Sequence, residues 1–221
     1  NVGTKLDSSK KAIELAEKYD KLYAIVGVHP HHADKLERNW LKELEELVLR
    51  SKIPLRGKKL SKNPKVVGIG ECGIDYFRYK SNEIVDPKLQ KDVFIKQIEL
   101  SLKLKLPLQI HNRHAGKDIL EILTFYKPSL LNPPGMFHCM SGDVDFLKKV
   151  LDLGFYIGFD GNITYDGLAP LEDTLLVDLV KATPIERILA ETDSPFLTPV
   201  PHRSGRNEPS YVIIVGQFLA K

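Results

Sequence analysis

Cysteine is scarce in this chain of 221 residues, which contains only Cys72 and Cys139. Two cysteines cannot build the disulfide framework of a small secreted domain, and unpaired cysteine is among the most buried residue types. We therefore interpret both as small buried side chains in a protein of a reducing compartment. No run approaches the roughly 20 apolar residues that cross a bilayer, and the first residues lack the pattern of a secretory signal. We expect a soluble protein of the cytoplasm, with the nucleus as the alternative.

The chain also lacks a strong charge of either sign. Its 32 Lys and Arg residues nearly balance 29 Asp and Glu residues, and the net charge is +3. Such a charge permits contact with a polyanion, but it excludes the dense basic surface of a dedicated nucleic-acid binder. The basic, turn-rich segment 56–65 is typical of a solvated surface connection. Length and composition fit a single globular domain over residues 1–221, or at most two smaller ones.

Short apolar runs alternate with amphipathic helical segments along the sequence. In the helix predicted over 87–105, for example, Phe94, Ile98 and Leu102 recur every four residues and mark a core face. This alternation predicts an α/β fold with a parallel sheet. The predicted strands are 22–28, 66–70, 106–110, 136–139, 155–159 and 188–192.

The fold that these strands favour is a TIM-type (β/α)8 barrel. Such barrels have eight strands and about 250 residues. We therefore expect a barrel truncated at both ends, without its first strand and helix and without the end of its last helix. Residues 1–4 would be the tail of a seventh strand. A doubly wound open sheet is the alternative, but its Gly-rich phosphate loop is missing from the sequence.

Four of the apolar runs deliver a residue that can bind a divalent metal: Glu71, His111, His138 and Asp193. The carboxyl ends of barrel strands meet at one face, so these four residues are expected to converge. Imidazole nitrogen and carboxylate oxygen suit divalent ions. Glu71 could bridge two ions, and Asp193 could both bind metal and orient or deprotonate the attacking water. Two close ions activate water and neutralise phosphodiester charge, so we predict a metal-dependent hydrolase with Glu71 and Asp193 as catalytic residues.

Arginine near these positions fits an anionic substrate. Arg113 lies two residues after His111, and Arg206 lies in a loop after Asp193. Because guanidinium groups match phosphate oxygens, we consider both as substrate-binding residues, with ordinary surface charge as the equal alternative.

These motifs together resemble the TatD family of metal-dependent hydrolases. The matching segments follow the family order over nearly the full length: 27–31, 68–76, 90–97, 106–113, 137–142, 158–164, 191–197 and 206–209. The resemblance implies a TIM-like barrel and the metal ligands Glu71, His111, His138 and Asp193. It also places His29 on the substrate side of the site, and Arg206 and Asn207 in a shared motif that we assign to substrate binding.

One family element has no counterpart here. The family pattern opens with a strand that ends in His-x-His and supplies two ligands of one metal position. His29 and His31 have that spacing, but they belong to the segment 27–31, where Pro30 favours a loop. The resemblance therefore leaves one metal position incomplete in this sequence.

The resemblance further implies hydrolysis of DNA phosphodiester bonds, as a deoxyribonuclease with 3′-to-5′ exonuclease action. The expected cofactors are one or two divalent ions, Mg²⁺ or Zn²⁺, with Mn²⁺ as a further candidate. DNA is the expected partner, no membrane is involved, and a monomer is expected. Two alternatives stay open: ester or amide hydrolysis on another substrate such as mis-acylated transfer RNA, and an inactive barrel that binds nucleic acid or protein.

Overall fold

A computed structural model describes residues 1–51, 64–78 and 83–221. The chain divides into two compact units, Asn1–Gly135 and Met136–Lys221. The predicted connection 56–65 lies outside the described residues except for residues 64 and 65. Among the helices that are described, none combines the length and the apolar character needed to cross a membrane.

The first unit alternates helices with three parallel strands, in which β2 pairs with both β1 and β3. Its core comes from the inner helix faces and the strands, with Leu44, Ile69, Phe94 and Ile110 fully buried. The elements are α1 (Leu6–Lys18), β1 (Ala24–Val26), α2 (Trp40–Ser51), β2 (Val66–Asp75), α3 (Pro87–Leu104), β3 (Leu108–Arg113) and α4 (Gly116–Tyr126).

The first four residues run alongside β1. Val2 forms a parallel bridge with Ile25, the Gly3 N–H donates to the Ile25 carbonyl at 2.9 Å, and the Ile25 N–H donates to the Asn1 carbonyl at 2.9 Å. The strand character predicted for residues 1–4 is confirmed as main-chain pairing.

The second unit repeats the alternation. Its strands β4, β5 and β6 pair in parallel and in chain order. Phe137 packs edge-to-face against Phe155 and Phe146, with ring centroids 5.2 and 5.8 Å apart. Parallel strands alternating with helices in both units confirm the α/β class. The elements are β4 (Gly135–Phe137), α5 (Val144–Asp152), β5 (Tyr156–Phe159), α6 (Leu176–Ala182), β6 (Ile188–Ala190) and α7 (Val212–Leu219).

Strand β2 is longer than predicted. The sequence placed its end at residue 70, but it continues to Asp75, and its register with β3 shifts between Ile69 and Cys72. Glu71 therefore lies within the strand at an irregularity, not beyond the strand end. Irregularities of this kind re-aim side chains, and they are common next to active sites.

Glycine makes this path possible. Gly70 and Gly73 have φ angles of 152° and 146°, and a Cβ at either position would overlap the main chain of β3. Only glycine combines that backbone conformation with so close an approach. The two glycines thus allow β2 to run against β3 on both sides of Glu71.

Lys65 contradicts the expectation of a solvated connection. Only 5% of the residue is exposed, and its ammonium donates to the carbonyls of Tyr19, Asp20 and Leu22 at 3.1, 3.0 and 3.3 Å. These carbonyls follow α1, where the chain turns towards β1. The prediction failed here because a positive charge usually marks a surface, whereas this one satisfies main-chain acceptors.

We expect Lys65→Met to lower the free energy of unfolding by about 1.5–3 kcal/mol, the range for hydrogen bonds to charged groups. Methionine keeps the apolar stem but cannot donate to the three carbonyls. Urea denaturation of the variant and of Lys10→Met, an exposed lysine on α1, measures the difference. Equal losses in the two variants would show that the carbonyl contacts of Lys65 contribute nothing.

Candidate metal centre

Three histidines and two carboxylates form a cluster in the first unit. This histidine cluster consists of His29, His31, Glu71, Asp75 and His111. His29 and His31 lie at the start of the short helical turn Pro30–Lys35 after β1, Glu71 and Asp75 lie on β2, and His111 lies on β3. Side-by-side pairing of β2 with β3 brings residues far apart in sequence together.

The contacts in the histidine cluster are short. His111 Nδ1 lies 2.9 Å from Glu71 Oε1, and His111 Nε2 lies 3.1 Å from Asp75 Oδ2. The same Asp75 oxygen lies 3.0 Å from His31 Nε2, while Glu71 Oε1 lies 3.5 Å from His29 Nε2. The structure therefore brings together two of the predicted metal ligands, Glu71 and His111.

The donor set fits a divalent ion. Ligand atoms of His29, Glu71 and His111 lie within 4.8 Å of one another, and so do those of His29, His31 and Asp75. Mixed imidazole and carboxylate donors at such separations suit Zn²⁺, and the carboxylates also suit Mg²⁺.

His29 belongs to both of these three-residue groups, and in each it is the residue least suited to bind metal. Its Nδ1 accepts a hydrogen bond from the His31 N–H at 3.2 Å, and its ring packs against the rings of His31 and His111 at 4.6 and 4.5 Å. Burial, with the neighbouring His111, lowers the pKa of His29 to about 3, so the ring is neutral. A neutral ring that accepts at Nδ1 carries its proton on Nε2, which then donates rather than coordinates.

Asp75 and His111 each favour the charged form of the other. Burial opposes charge on Asp75, but hydrogen bonds from His111 and His31 lower the pKa of its carboxyl below the usual range. Burial likewise opposes charge on His111, and its bonds to Asp75 and Glu71 outweigh this and raise its pKa. The raised pKa makes protons stronger competitors for a metal ion at His111, because a coordinating nitrogen must be deprotonated.

Asp75 was expected only as part of the motif 68–76, without a role in the site. Its side chain is fully buried, and its Oδ1 accepts from the Phe77 N–H at 2.9 Å. A usable signal was present: residues 71, 73 and 75 share one face of a strand, because side chains alternate with a period of two.

A second cluster lies in the second unit and consists of His138, Cys139, Asp160 and Glu191. His138 follows β4, and its Nδ1 lies 3.1 Å from Glu191 Oε2, while the Cys139 N–H donates to Glu191 Oε1 at 2.7 Å. Burial, with Glu191 nearby, raises the pKa of Asp160 to about 7. Like Asp75, Glu191 was not among the predicted site residues.

Asp193 lies three residues beyond β6, in a left-handed conformation with φ 49°. Its carbonyl accepts from the Phe196 N–H at 2.9 Å, so it opens a tight turn. Burial and then Asp160, Asp193 and Glu191 raise the pKa of the Cys139 thiol well above its ordinary value. The carboxyl of Asp193 therefore acts electrostatically on the second cluster, whereas its role as a metal ligand stays a prediction.

The predicted substrate residues have different surroundings. The Arg113 guanidinium lies over the Phe77 ring, 5.0 Å from its centroid, and Arg206 is exposed. Asn207 is buried, and its amide donates to the carbonyls of Thr192 and Phe196 at 2.6 and 2.5 Å. This amide ties down the loop after β6, so Asn207 shapes the loop that carries Asp193.

Both cysteines are free thiols, as expected. Cys72 is fully buried in β2, whereas Cys139 is only partly buried. Burial, with Glu71 nearby, raises the pKa of Cys72 above its ordinary value, so the Cys72 thiol is protonated at neutral pH.

Comparison with known proteins decides the family. The model of the family described as TatD related DNase matches residues 1–221. The chain belongs to this family. An uncharacterized metal-dependent hydrolase of Bacillus subtilis, YabD, is 37% identical over 100% of the chain and 77% of its own length. Another uncharacterized metal-dependent hydrolase, YcfH of Escherichia coli K12, is 32% identical over 99% of the chain and 73% of its own length.

A solved structure supports the same fold. The TatD homologue YjjV of Escherichia coli K12 superposes with a TM-score of 0.81 at 27% identity, covering 99% of this chain and 76% of that one. The predicted TIM-type α/β fold of the TatD family is thereby confirmed. At the level of the family, the prediction of a metal-dependent hydrolase is confirmed as well.

Proposed function

We propose that the chain hydrolyses phosphodiester bonds of DNA, as a divalent-metal-dependent deoxyribonuclease with 3′-to-5′ exonuclease action. The observation that carries the proposal is the pairing of Glu71 Oε1 with His111 Nδ1 at 2.9 Å, in a member of the TatD related DNase family. The pairing sets a carboxylate oxygen beside an imidazole nitrogen, the donor combination that this chemistry needs. The proposal includes a monomer acting in the cytoplasm.

Glu71 and His111 would hold an ion of Mg²⁺, Zn²⁺ or Mn²⁺, and His138 and Asp193 are the other ligands that we propose from the sequence, for one or two ions in all. A bound ion would supply charge neutralisation at the phosphoryl oxygens and a more acidic water. Glu71 has two carboxylate oxygens and is suited to bridge. The carboxylate of Asp193 would accept the proton of the attacking water.

His29 is suited to act on the substrate side. Its neutral ring carries the proton on Nε2, which lies in the same cluster as Glu71 and His111. A buried N–H donor beside metal ligands can hydrogen-bond a phosphodiester oxygen without adding charge. Arg113 and Arg206 would contact further phosphates, and Asn207 would set the position of the loop that holds Arg206.

The test is cleavage of end-labelled single-stranded DNA by the purified protein with Mg²⁺, Mn²⁺ or Zn²⁺, and with EDTA. We expect stepwise shortening from the 3′ end, abolished by EDTA and restored by added metal. A duplicate substrate with a blocked 3′ end separates exonuclease from endonuclease action. Intact DNA under every metal condition would overturn the nuclease proposal.

Two further measurements identify the alternatives if DNA stays intact. Metal-dependent release of the amino acid from mis-acylated transfer RNA would assign ester hydrolysis, because the same ligands would then polarise a carbonyl group. A protein without bound metal that still retains DNA in a filter-binding assay would be an inactive binding protein.

A further inference from the structure

We propose that Asp75 and Glu191 are positioning residues, each of which holds one histidine, His111 or His138, in the orientation of a metal ligand. This inference rests on the proposed metal-dependent function and adds two residues to it. In each unit a carboxylate binds one ring nitrogen of a predicted ligand and is itself fixed by a main-chain N–H.

In the first unit, the Asp75 carboxylate divides its two oxygens between two tasks. Oδ2 lies 3.1 Å from His111 Nε2 and 3.0 Å from His31 Nε2, and Oδ1 accepts from the Phe77 N–H at 2.9 Å. The main chain of Asp75 is held as well, because Gln90 accepts from its N–H at 2.8 Å and donates to its carbonyl at 3.0 Å. These contacts fix the position of the Asp75 carboxylate. The carboxylate therefore sets the orientation of the His111 ring.

In the second unit, Glu191 repeats this division. Oε2 lies 3.1 Å from His138 Nδ1, and Oε1 accepts from the Cys139 N–H at 2.7 Å. The main-chain contact comes from the residue next to His138, so the carboxylate fixes both the ring and the backbone that carries it.

The two carboxylates bind different ring nitrogens, and this sets different ligand atoms. A ligand histidine donates its second N–H to such a partner, which fixes the tautomer and raises the basicity of the ligand nitrogen. Since Asp75 accepts the hydrogen bond from Nε2 of His111, the nitrogen left to bind metal is Nδ1, which faces Glu71. Since Glu191 accepts the hydrogen bond from Nδ1 of His138, the nitrogen left to bind metal is Nε2.

A competing role for Asp75 is direct coordination. Its Oδ2 lies within 4.8 Å of ligand atoms of His29 and His31, which together could hold an ion. The protonated Nε2 of His29 argues against that site, because two ligands remain without it. Direct coordination and positioning predict different metal stoichiometry.

The test uses Asp75→Asn and Glu191→Gln. Each amide can keep an oxygen for the main-chain N–H and presents an NH₂ group to the ring in place of the acceptor oxygen. The matched controls are Asp118→Asn, which removes a carboxylate paired with Lys91 at 2.8 Å, and Glu172→Gln, which removes one that accepts from the Gly142 N–H.

Calorimetric titration with Mn²⁺ is the first readout. We expect both site variants to bind Mn²⁺ roughly 10–100-fold more weakly, the range for residues that orient metal ligands, with unchanged stoichiometry. The controls should bind as the unaltered protein does. Unchanged affinity in both site variants would overturn the proposal, and loss of one ion in Asp75→Asn would assign Asp75 as a ligand instead. Circular dichroism in EDTA establishes that each variant is folded.

Nitrogen-15 NMR of the Zn²⁺-loaded protein is the second readout, and it needs no variant. We expect the imidazole proton on Nε2 of His111 and on Nδ1 of His138. The same tautomer on both rings would contradict the assignment. Neither readout involves DNA, so a protein that binds metal as described but leaves DNA intact would refute the nuclease and retain the positioning roles.

Discussion

Replacing Glu71 by alanine is expected to lower metal-dependent hydrolysis by more than about 100-fold while leaving the fold intact. Residues that only orient a ligand cost about 10–100-fold, and loss of the ligand itself must exceed this. The Glu71 carboxylate is the acidic partner of His111 Nδ1 and lies 3.5 Å from His29 Nε2. Alanine would leave both rings without that oxygen. Steady-state cleavage of labelled DNA, at saturating Mg²⁺ or Mn²⁺, measures the effect.

The control for this experiment is Glu46→Ala. Glu46 is a glutamate on α2 that pairs with Arg50 at 3.0 Å on the surface, and substitutions at such positions change stability by no more than about 0.5 kcal/mol. Its activity should equal that of the unaltered protein. A Glu71→Ala variant that is folded and cleaves DNA at the normal rate would refute the ligand assignment.

Glu71→Gln separates charge from size. Glutamine keeps the volume of the side chain and one oxygen but lacks the negative charge that a bridging ligand supplies. We expect its activity to fall nearly as far as that of the alanine variant, because divalent ions select ionised carboxylates. Zinc content measured on the same preparations should fall in parallel with activity.

Local patterns in the sequence were sufficient to predict most of the elements. The helix predicted over 87–105 is α3 (Pro87–Leu104), because Phe94 and Ile98 recur at the helical period and are fully buried. The predicted strand 155–159 is β5 (Tyr156–Phe159) for a similar reason, since an apolar run of that length is buried on both faces. Periodicity is a property of neighbouring residues, and neighbouring residues are visible in a sequence.

The contacts of the site depend on register, which a sequence does not display. Glu71 and His111 were predicted as ligands and do meet, but Asp75 entered the cluster because β2 continues five residues beyond its predicted end. In the second unit, Asp193 was predicted as a ligand, and the structure adds Glu191, two residues earlier, whose Oε2 lies 3.1 Å from His138 Nδ1. A pairing register and an irregularity at Glu71 decide which carboxylate reaches which ring.

Helix α3 supports the histidine cluster through two buried glutamines. Gln90 and Gln97 lie seven residues apart, two turns of the helix, and therefore project from the same side. Gln90 binds the N–H and the carbonyl of Asp75. Gln97 binds the N–H of Val28 at 2.8 Å and its carbonyl at 2.9 Å. One helix thus fixes the main chain at Asp75 and at the residue before His29.

Gln97→Met is therefore expected to lower the free energy of unfolding by about 2–6 kcal/mol. Methionine matches the length of glutamine, but it leaves the Val28 N–H and carbonyl without these partners, and each such buried group costs about 1–3 kcal/mol. Lys96→Met on the exposed side of α3 is the matched control and should change stability by less than about 0.5 kcal/mol. Urea denaturation in EDTA measures both variants without a contribution from bound metal. A Gln97→Met protein as stable as the control would show that Val28 finds other partners, and that the main chain before His29 does not depend on α3.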